Sequence, residues 1–527
     1  MSGPSKPARQ GREPDRRTVL RALGLGAAGI GLGGIGVLAG CSSDDATSAS
    51  GTAPGGQATT TTNPGGTGGT TTTTRVVPDY DPKVPYWEQG GFQAVTTTET
   101  LTDLTVTGSI PPELSGLFVR NGSNPVTGKA DHWFLGDGMV HGVRLDHGKA
   151  SWYRNRYVDT TQYEAATTGK ATSPLPGKDN NASNVAIIHH AGKLLTTGEV
   201  GWPYELRTND LSTVGPWGFD GKLGNTMTAH PKIDPATGRM HFFGYEVISP
   251  YLTYYAADAQ GRIDVATRID LDAPTMVHDF AVTDKEAIFW VGPVVFGFEP
   301  TNPIPKIPFH WDASGRTRLA VLPLDGGPKD VRWVDVPLCY VFHGLNAWRD
   351  GDDIVLHVNV QEEAFGPKGD LLPSFRHEWR IGTGGSSDAT LTFSQRKLTD
   401  RSMDLPTHDR RHTGREIRHG WFATAAPATA TYGFELVGLC HADLKTGKEE
   451  VWDPGPNDRA GEGFFVPTEK GEGEGWVLTF VWDRTTDRSR LAIFDAQAVH
   501  RGPVAEVHLP VRVPFGFHGL WLDDEVL

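Results

Sequence analysis

From about residue 100 onward the chain is cut into short segments by turn sequences that leave no room for long helices. DHGK (146–149), DAQGR (258–262), DGGPK (325–329), RDGDD (349–353), KTGKE (445–449) and EKGEGEG (469–475) all carry turn chemistry. Asp hydrogen-bonds its own backbone, Gly supplies positive φ, and Pro fixes φ. Between the turns lie runs of Val, Ile, Tyr, Phe and Trp, which suit a pleated, half-buried surface. The pairs YLTYYAADA/RIDVATRIDL and CYVFHGLNAW/DIVLHVNVQ each read as two strands joined by a tight turn. The fold class expected is all-β. About 450 residues of hairpins, recurring roughly every 45 to 65 residues, favour a β-propeller over a sandwich. Irregular stretches at 161–184, 296–316 and 364–386 are expected to be insertions on one face, a dome of loops and short helices over the axis.

The first forty residues have a different character. Arg16-Arg17 precedes an apolar, glycine-rich run from Ala22 to Gly40, the outline of a twin-arginine export signal. The run ends in VLAGC (37–41), which resembles a bacterial lipobox with Cys41 as the lipidated residue. A single transmembrane anchor is the alternative, though a run this rich in Gly suits it poorly. Residues 41–78 follow as Ser, Thr, Gly and Pro with a poly-Thr stretch, a composition that cannot form a core and reads as a tether. The expected organisation is a signal over 1–40, a lipidated tether over 41–78 and a propeller over 79–527, held at the extracytoplasmic face of the cell membrane. Twin-arginine export carries folded proteins, often with a cofactor already inserted. Only Cys339 and Cys440 remain after Cys41, so disulfides do not organise the fold. The formal net charge of −14, more negative still without the basic leader, sets nucleic acid aside as a partner. No obligate protein partner is evident.

Four of the predicted hairpins open with a histidine: TAHPKID with His230, MVHDFAV with His278, YVFHGLNAW with His343 and FGFHGLWL with His518. In the first, DPATG is an ordinary turn, and a histidine on its incoming limb has no role that strand formation requires. The first three are 48 and 65 residues apart, and the last follows after 175, close to three repeats of about 58. Inner strands of propeller blades converge on the axis, so one histidine per blade end would meet the others there. Four neutral imidazoles suit a borderline first-row metal such as Fe, Cu, Ni or Zn.

Seven stretches, in order, carry a resemblance. They are LSGLFVRNGSNP (114–125), HWFLGDGMVHGVRL (132–145), TAHPKIDPATGRMHFFGY (228–245), MVHDFAVT (276–283), VFHGLNAW (341–348), GEGFFVP (461–467) and PFGFHGLWL (514–522). In these the chain resembles the carotenoid cleavage oxygenases, a family that includes the retinal-pigment isomerase and bacterial stilbene-cleaving dioxygenases. The resemblance covers nearly everything from about residue 90 onward. It implies a seven-bladed propeller with a loop dome and an axial Fe(II) held by His230, His278, His343 and His518. It also implies carboxylates that accept the remaining N–H of three of these histidines. Glu199 in LLTTGEVGWPYEL and Glu462 in GEGFFVP match two of them; the third motif, usually M-E-F-P, reads SMDLP and offers Asp404. Asp is one methylene shorter, so the backbone comes closer, a water bridges, or Glu416 takes over. Fourteen residues before Glu199, the family's apolar cap over an open iron position corresponds to Val185, which also reads as an ordinary core valine.

The implied reaction is dioxygen insertion across a carbon–carbon double bond to give two carbonyl products. No acid–base dyad or nucleophile is needed, and no G-x-S-x-G or Cys/His signature occurs. The stilbene-cleaving branch carries a lysine just before the motif glutamate; here the residue is Gly198, which favours an apolar polyene, a carotenoid or apocarotenoid. The alternatives are a stilbene dioxygenase and a non-catalytic, membrane-tethered propeller that binds a hydrophobic ligand. A hydrolytic propeller fits less well, since such sites use carboxylate and amide ligands around a hard cation.

Overall fold

The computed structural model describes residues 80–527 apart from 82, 174–176, 225, 298–306, 370, 386–388 and 428–433. The predicted export signal, Cys41 and the tether lie outside the described residues.

Seven antiparallel sheets form the body, and the inner strand of each carries a site residue or follows one within two positions. The first sheet joins Gly519–Asp523 to Gly116–Ser123, Gly138–Asp146 and Lys149–Tyr157. The second runs Ala186–His190, Lys193–Thr197, Tyr204–Leu206, Thr213–Pro216. The third runs Lys232–Ile233, Met240–Tyr245, Leu252–Ala257, Ile263–Ile269. In the fourth, Phe280–Val282 pairs Glu286–Val291, followed by Thr317–Pro323 and Arg332–Val336. The fifth starts from Tyr340–Asp350 and Asp353–Gln361, then Phe375–Gly382. The long strand Thr392–Thr407 closes the fifth sheet through residues 392–402 and opens the sixth through Met403 and Asp404, which pair with His419–Pro427. In the seventh, Asp458–Ala460 and Phe464–Pro467 both pair Gly475–Asp483, with Arg488–Asp495 and Ala505–His508 beyond. Neighbouring sheets touch through these first strands, as where Gly519–Asp523 meets both Ala186–His190 and Phe464–Pro467. This is a seven-bladed β-propeller, and four of its inner strands are the ones the histidine spacing singled out.

Two blades are built from both ends of the chain. Thr105–Gly108 adds an outer strand to the seventh sheet beside Ala505–His508, and Gly519–Asp523 supplies the inner strand of the first. Strands within a blade are buried on both faces by the blades on either side, so they read as continuous apolar runs; Met240–Tyr245 and Glu286–Val291 are buried at every position. Cys339 and Cys440 are free and buried. Of the stretches expected to form the dome, the first opens with a helix, Thr161–Thr168, capped by Thr160 and ended by Gly169 in the left-handed region. The second includes a two-stranded ribbon, Val294–Phe296 with Phe309–Trp311.

Candidate metal centre

The inner-strand entries form a ring of seven residues in chain order: Val185, His230, His278, His343, Asp404, Glu462 and His518. His230, His278 and His518 stand just before their strands, whereas His343 lies inside Tyr340–Asp350, at a bulge between Val341 and Gly344. The long gap from His343 to His518 is thus filled by two carboxylate-bearing blades.

The four imidazoles meet edge to edge, with ring centroids 4.6 to 5.1 Å apart around the ring. Nε2 of His230 lies 3.0 Å from Nε2 of His278, which is 3.3 Å from Nε2 of His343. Ligand nitrogens of His230, His343 and His518 all fall within 4.8 Å of one another. On the outward side, each of three rings faces a carboxylate: His278 Nδ1 donates to Glu199 at 2.7 Å, His343 Nδ1 to Asp404 at 2.8 Å, and His518 Nδ1 to Glu462 at 2.8 Å. These acceptors assign the proton to Nδ1 and leave Nε2 with a bare lone pair directed inward.

That donor set fits a metal ion. Two lone pairs 3.3 Å apart in neighbouring neutral rings repel, and a shared cation removes the repulsion. Two nitrogens each about 2.1 Å from a common ion, at right angles, stand about 3.0 Å apart, close to the separations here. Burial pushes His230 well below the ordinary histidine range, helped by the neighbouring imidazoles and Lys232, so its ring is neutral and able to ligate. Burial also lowers His343, against the opposing pull of Asp404. At His278 burial works in the same sense but is outweighed by Glu199, which raises the ring's basicity.

Each carboxylate is itself held. Tyr245 Oη donates to Glu199 at 2.9 Å, Ser374 Oγ to Asp404 at 2.8 Å, and the Gly519 amide to Glu462 at 2.6 Å. Asp404 reaches His343 directly: Glu416 is exposed and takes no part. The missing methylene is made up by the backbone. The pairing of Asp404 with Ala423 jumps to Thr407 with Trp421, a bulge, and Leu405 adopts φ 50° while its amide donates to Asp404 at 2.8 Å. Asp404 is held below the usual carboxylate range: burial would raise it, and His343, Ser374 and the Leu405 amide outweigh burial.

Val185 packs with Ala229 and Phe517, the residues just before His230 and His518, and its carbonyl accepts from the His518 amide at 3.2 Å. A run of aromatic contacts leads away from the centre. Phe342 stands edge-on to His278 at 5.2 Å and contacts Phe365, which meets Phe134, which with Trp133 packs on Phe517. The sequence reading missed Tyr245, Ser374 and Gly519. Tyr245 and Gly519 sit inside recognisable motifs, so position could have flagged them; Ser374 lies in a loop, LLPSF, with no signal of its own.

A seven-bladed propeller whose inner strands bring four histidines and their carboxylate acceptors to one axial point defines a class of oxygenase-type proteins. The family model for the retinal pigment epithelial membrane protein matches residues 92–523. Carotenoid 9,10(9',10')-cleavage dioxygenase 1 of Pisum sativum is 32% identical over 509 residues, spanning 85% of this chain and 92% of that protein. The carotenoid cleavage oxygenase of Mycobacterium tuberculosis is 34% identical over 507 residues, spanning 83% and 97%. Among solved structures, lignostilbene dioxygenase of Pseudomonas brassicacearum superposes with a TM-score of 0.75 at 26% identity, covering 84% of this chain and 99% of that one. The chain belongs to the carotenoid cleavage oxygenase family, and it is an enzyme of the carotenoid-oxygenase, dioxygenase type.

Proposed function

We propose that the chain is a non-haem Fe(II) dioxygenase that cleaves one carbon–carbon double bond of a carotenoid or apocarotenoid, both atoms of dioxygen ending in the two carbonyl products. The observation that carries this reading is the inward convergence of four Nε2 lone pairs, three of them fixed by carboxylates on Nδ1. His230, His278, His343 and His518 would hold the ion. Iron, when bound, would supply the one-electron chemistry that lets dioxygen react with a closed-shell alkene. The chain's own residues do the rest. Glu199, Asp404 and Glu462 orient the rings and keep them basic. The apolar side chain of Val185 would close one side of the ion, and Phe342, Phe365 and Phe134 would bind a polyene and exclude water.

A polyene is favoured over a phenolic stilbene by Gly198. A Cβ there would meet Asn181 Oδ1 at 3.0 Å, the Ser183 amide at 3.2 Å and the Val200 carbonyl at 3.3 Å, so the position is tightly packed and offers a phenoxide no cation of its own. The pea and M. tuberculosis relatives are named for carotenoid cleavage, while the P. brassicacearum neighbour is named for lignostilbene. A non-catalytic propeller had only the Asp-for-Glu exchange in its favour, and Asp404 accepts from His343 without an intermediary. Arg16-Arg17 and Cys41 add a location: a lipid-tethered enzyme at the extracytoplasmic membrane face, where its substrate would be dissolved. Cys41→Ala should release the protein from the membrane fraction.

Anaerobic reconstitution with Fe(II), then aerobic incubation with a carotenoid, an apocarotenal and a hydroxystilbene, tests the proposal by mass spectrometry of the products. Carbonyl fragments of a polyene are expected. Cleavage of the hydroxystilbene alone would overturn the substrate class, and failure to take up iron would overturn the metal centre.

A further inference from the structure

Asp279, the residue after His278, is 1% exposed. Its Oδ1 accepts from Lys232 Nζ at 2.7 Å and from the Phe280 amide at 2.8 Å; its Oδ2 accepts from the Gly344 amide at 2.9 Å. The donors come from three successive inner strands. Lys232 lies two residues after His230, Phe280 two after His278, and Gly344 one after His343. A single carboxylate therefore joins the backbone segments behind three of the four histidines. Glu462 does the equivalent at the other side of the ring, with one oxygen on the His518 ring and the other on the Gly519 amide.

His230 is the histidine that needs this most. Among the described residues it has no carboxylate on its Nδ1, and Pro231 gives its strand no amide to donate at the next position. Neutral bonds hold its segment: the Thr228 hydroxyl to the His278 carbonyl at 3.1 Å, the Thr228 amide to the Phe243 carbonyl at 2.8 Å, and the pairing of Lys232 with His241. An ionic tie is added through Lys232. The ammonium is mostly buried, 20% exposed, and lies over the Phe280 ring at 5.8 Å. Left unpaired, a buried cation behind the histidines would oppose a second cation among them; Asp279 offsets that charge.

We infer that Asp279 and Lys232 are positioning residues for the metal centre, setting the distance of His230 from His278 and His343 through one buried ion pair. The inference rests on the metal reading above. Losing the pair lets the His230 strand drift, so the ion is held by a looser and less symmetric set of ligands. Supports of this kind are worth about 10- to 100-fold in metal affinity.

The test uses Co(II), added to metal-free protein, with affinity read by chelator competition and ligand geometry by the visible absorption bands. Lys232→Arg keeps the pair and should bind like wild type. Lys232→Met and the double variant Lys232→Met/Asp279→Asn should stay folded by circular dichroism yet bind at least about tenfold more weakly, with altered band positions. If the double variant does not fold, Lys232→Met alone decides by the same two readings. Wild-type affinity and spectrum in a folded Lys232→Met protein would overturn the inference. A wild-type protein that takes up no Co(II) would overturn the metal centre itself.

Discussion

A glutamate at position 404 would carry its carboxylate one methylene further than the aspartate there, yet Asp404 reaches His343 directly from a strand that bulges just after it. The bond so formed has a charged acceptor, and Asp404→Asn keeps its shape while removing its charge. We expect a fall in metal affinity of about 10- to 100-fold, measured by chelator competition; an unchanged value would mean that packing alone orients His343. His278→Ala is more severe, since it removes the residue whose Nε2 is within 3.3 Å of two others. Stoichiometric iron and turnover should both be lost, as metal analysis and product assay would report. At this scale the sequence is legible where a residue sits in a spaced motif. His230, His278, His343 and His518 recur with the blade, and Glu199 and Glu462 lie in recognisable runs. It is not legible where a contact crosses blades: nothing near Asp404 in SMDLP announces Ser374 thirty residues earlier, or a bulge that replaces a methylene.

The hairpin is the element that repeats, and the turn sequences singled out from the sequence fall between paired strands because Gly and Asp constrain the backbone locally. Leu252–Ala257 with Ile263–Ile269 and Tyr340–Asp350 with Asp353–Gln361 fall where the two quoted pairs predict. The short helix Thr161–Thr168 was not foreseen beyond a general allowance for the dome, since it buries no residue and presents no apolar stripe. The double duty of Thr392–Thr407 was also hidden, because a strand that leaves one sheet and enters the next looks continuous in sequence. Inside the blades, histidines unrelated to the centre are buried between strands. His241 donates to or accepts from Tyr254 Oη at 2.7 Å, and His357 stacks on Trp348; burial pushes both down to about 4, with nearby arginines adding to the effect. The unfolded chain then takes up protons first as pH falls below the ordinary histidine value of about 6.5. Stability should be full above that pH, decline by about 1.4 kcal/mol per unit for each histidine between about 6.5 and 4, and level off below. Denaturant midpoints measured across this range check it, and His241→Gln should flatten the slope.

For the molecule as a whole, the ring closes only when Gly519–Asp523 pairs with Gly116–Ser123. Leu520, Trp521 and Leu522 are nearly fully buried there, worth roughly 8 kcal/mol of side-chain burial together. A chain ending at His518 keeps every histidine of the centre but should melt roughly 10 °C lower and fail to retain metal, as scanning calorimetry and metal analysis would show. The closure also fixes an order of events. Contacts between residues some four hundred positions apart are slow to form, and the ring of histidines has no complete geometry until they do. Under the proposed metal reading, metal capture would then be the final step of maturation, and a chain that had stalled, been clipped or swapped its last strand would not perform it. On the proposed metal reading, the ion would act as an inspector of finished molecules: what carried it would have folded through to its last blade.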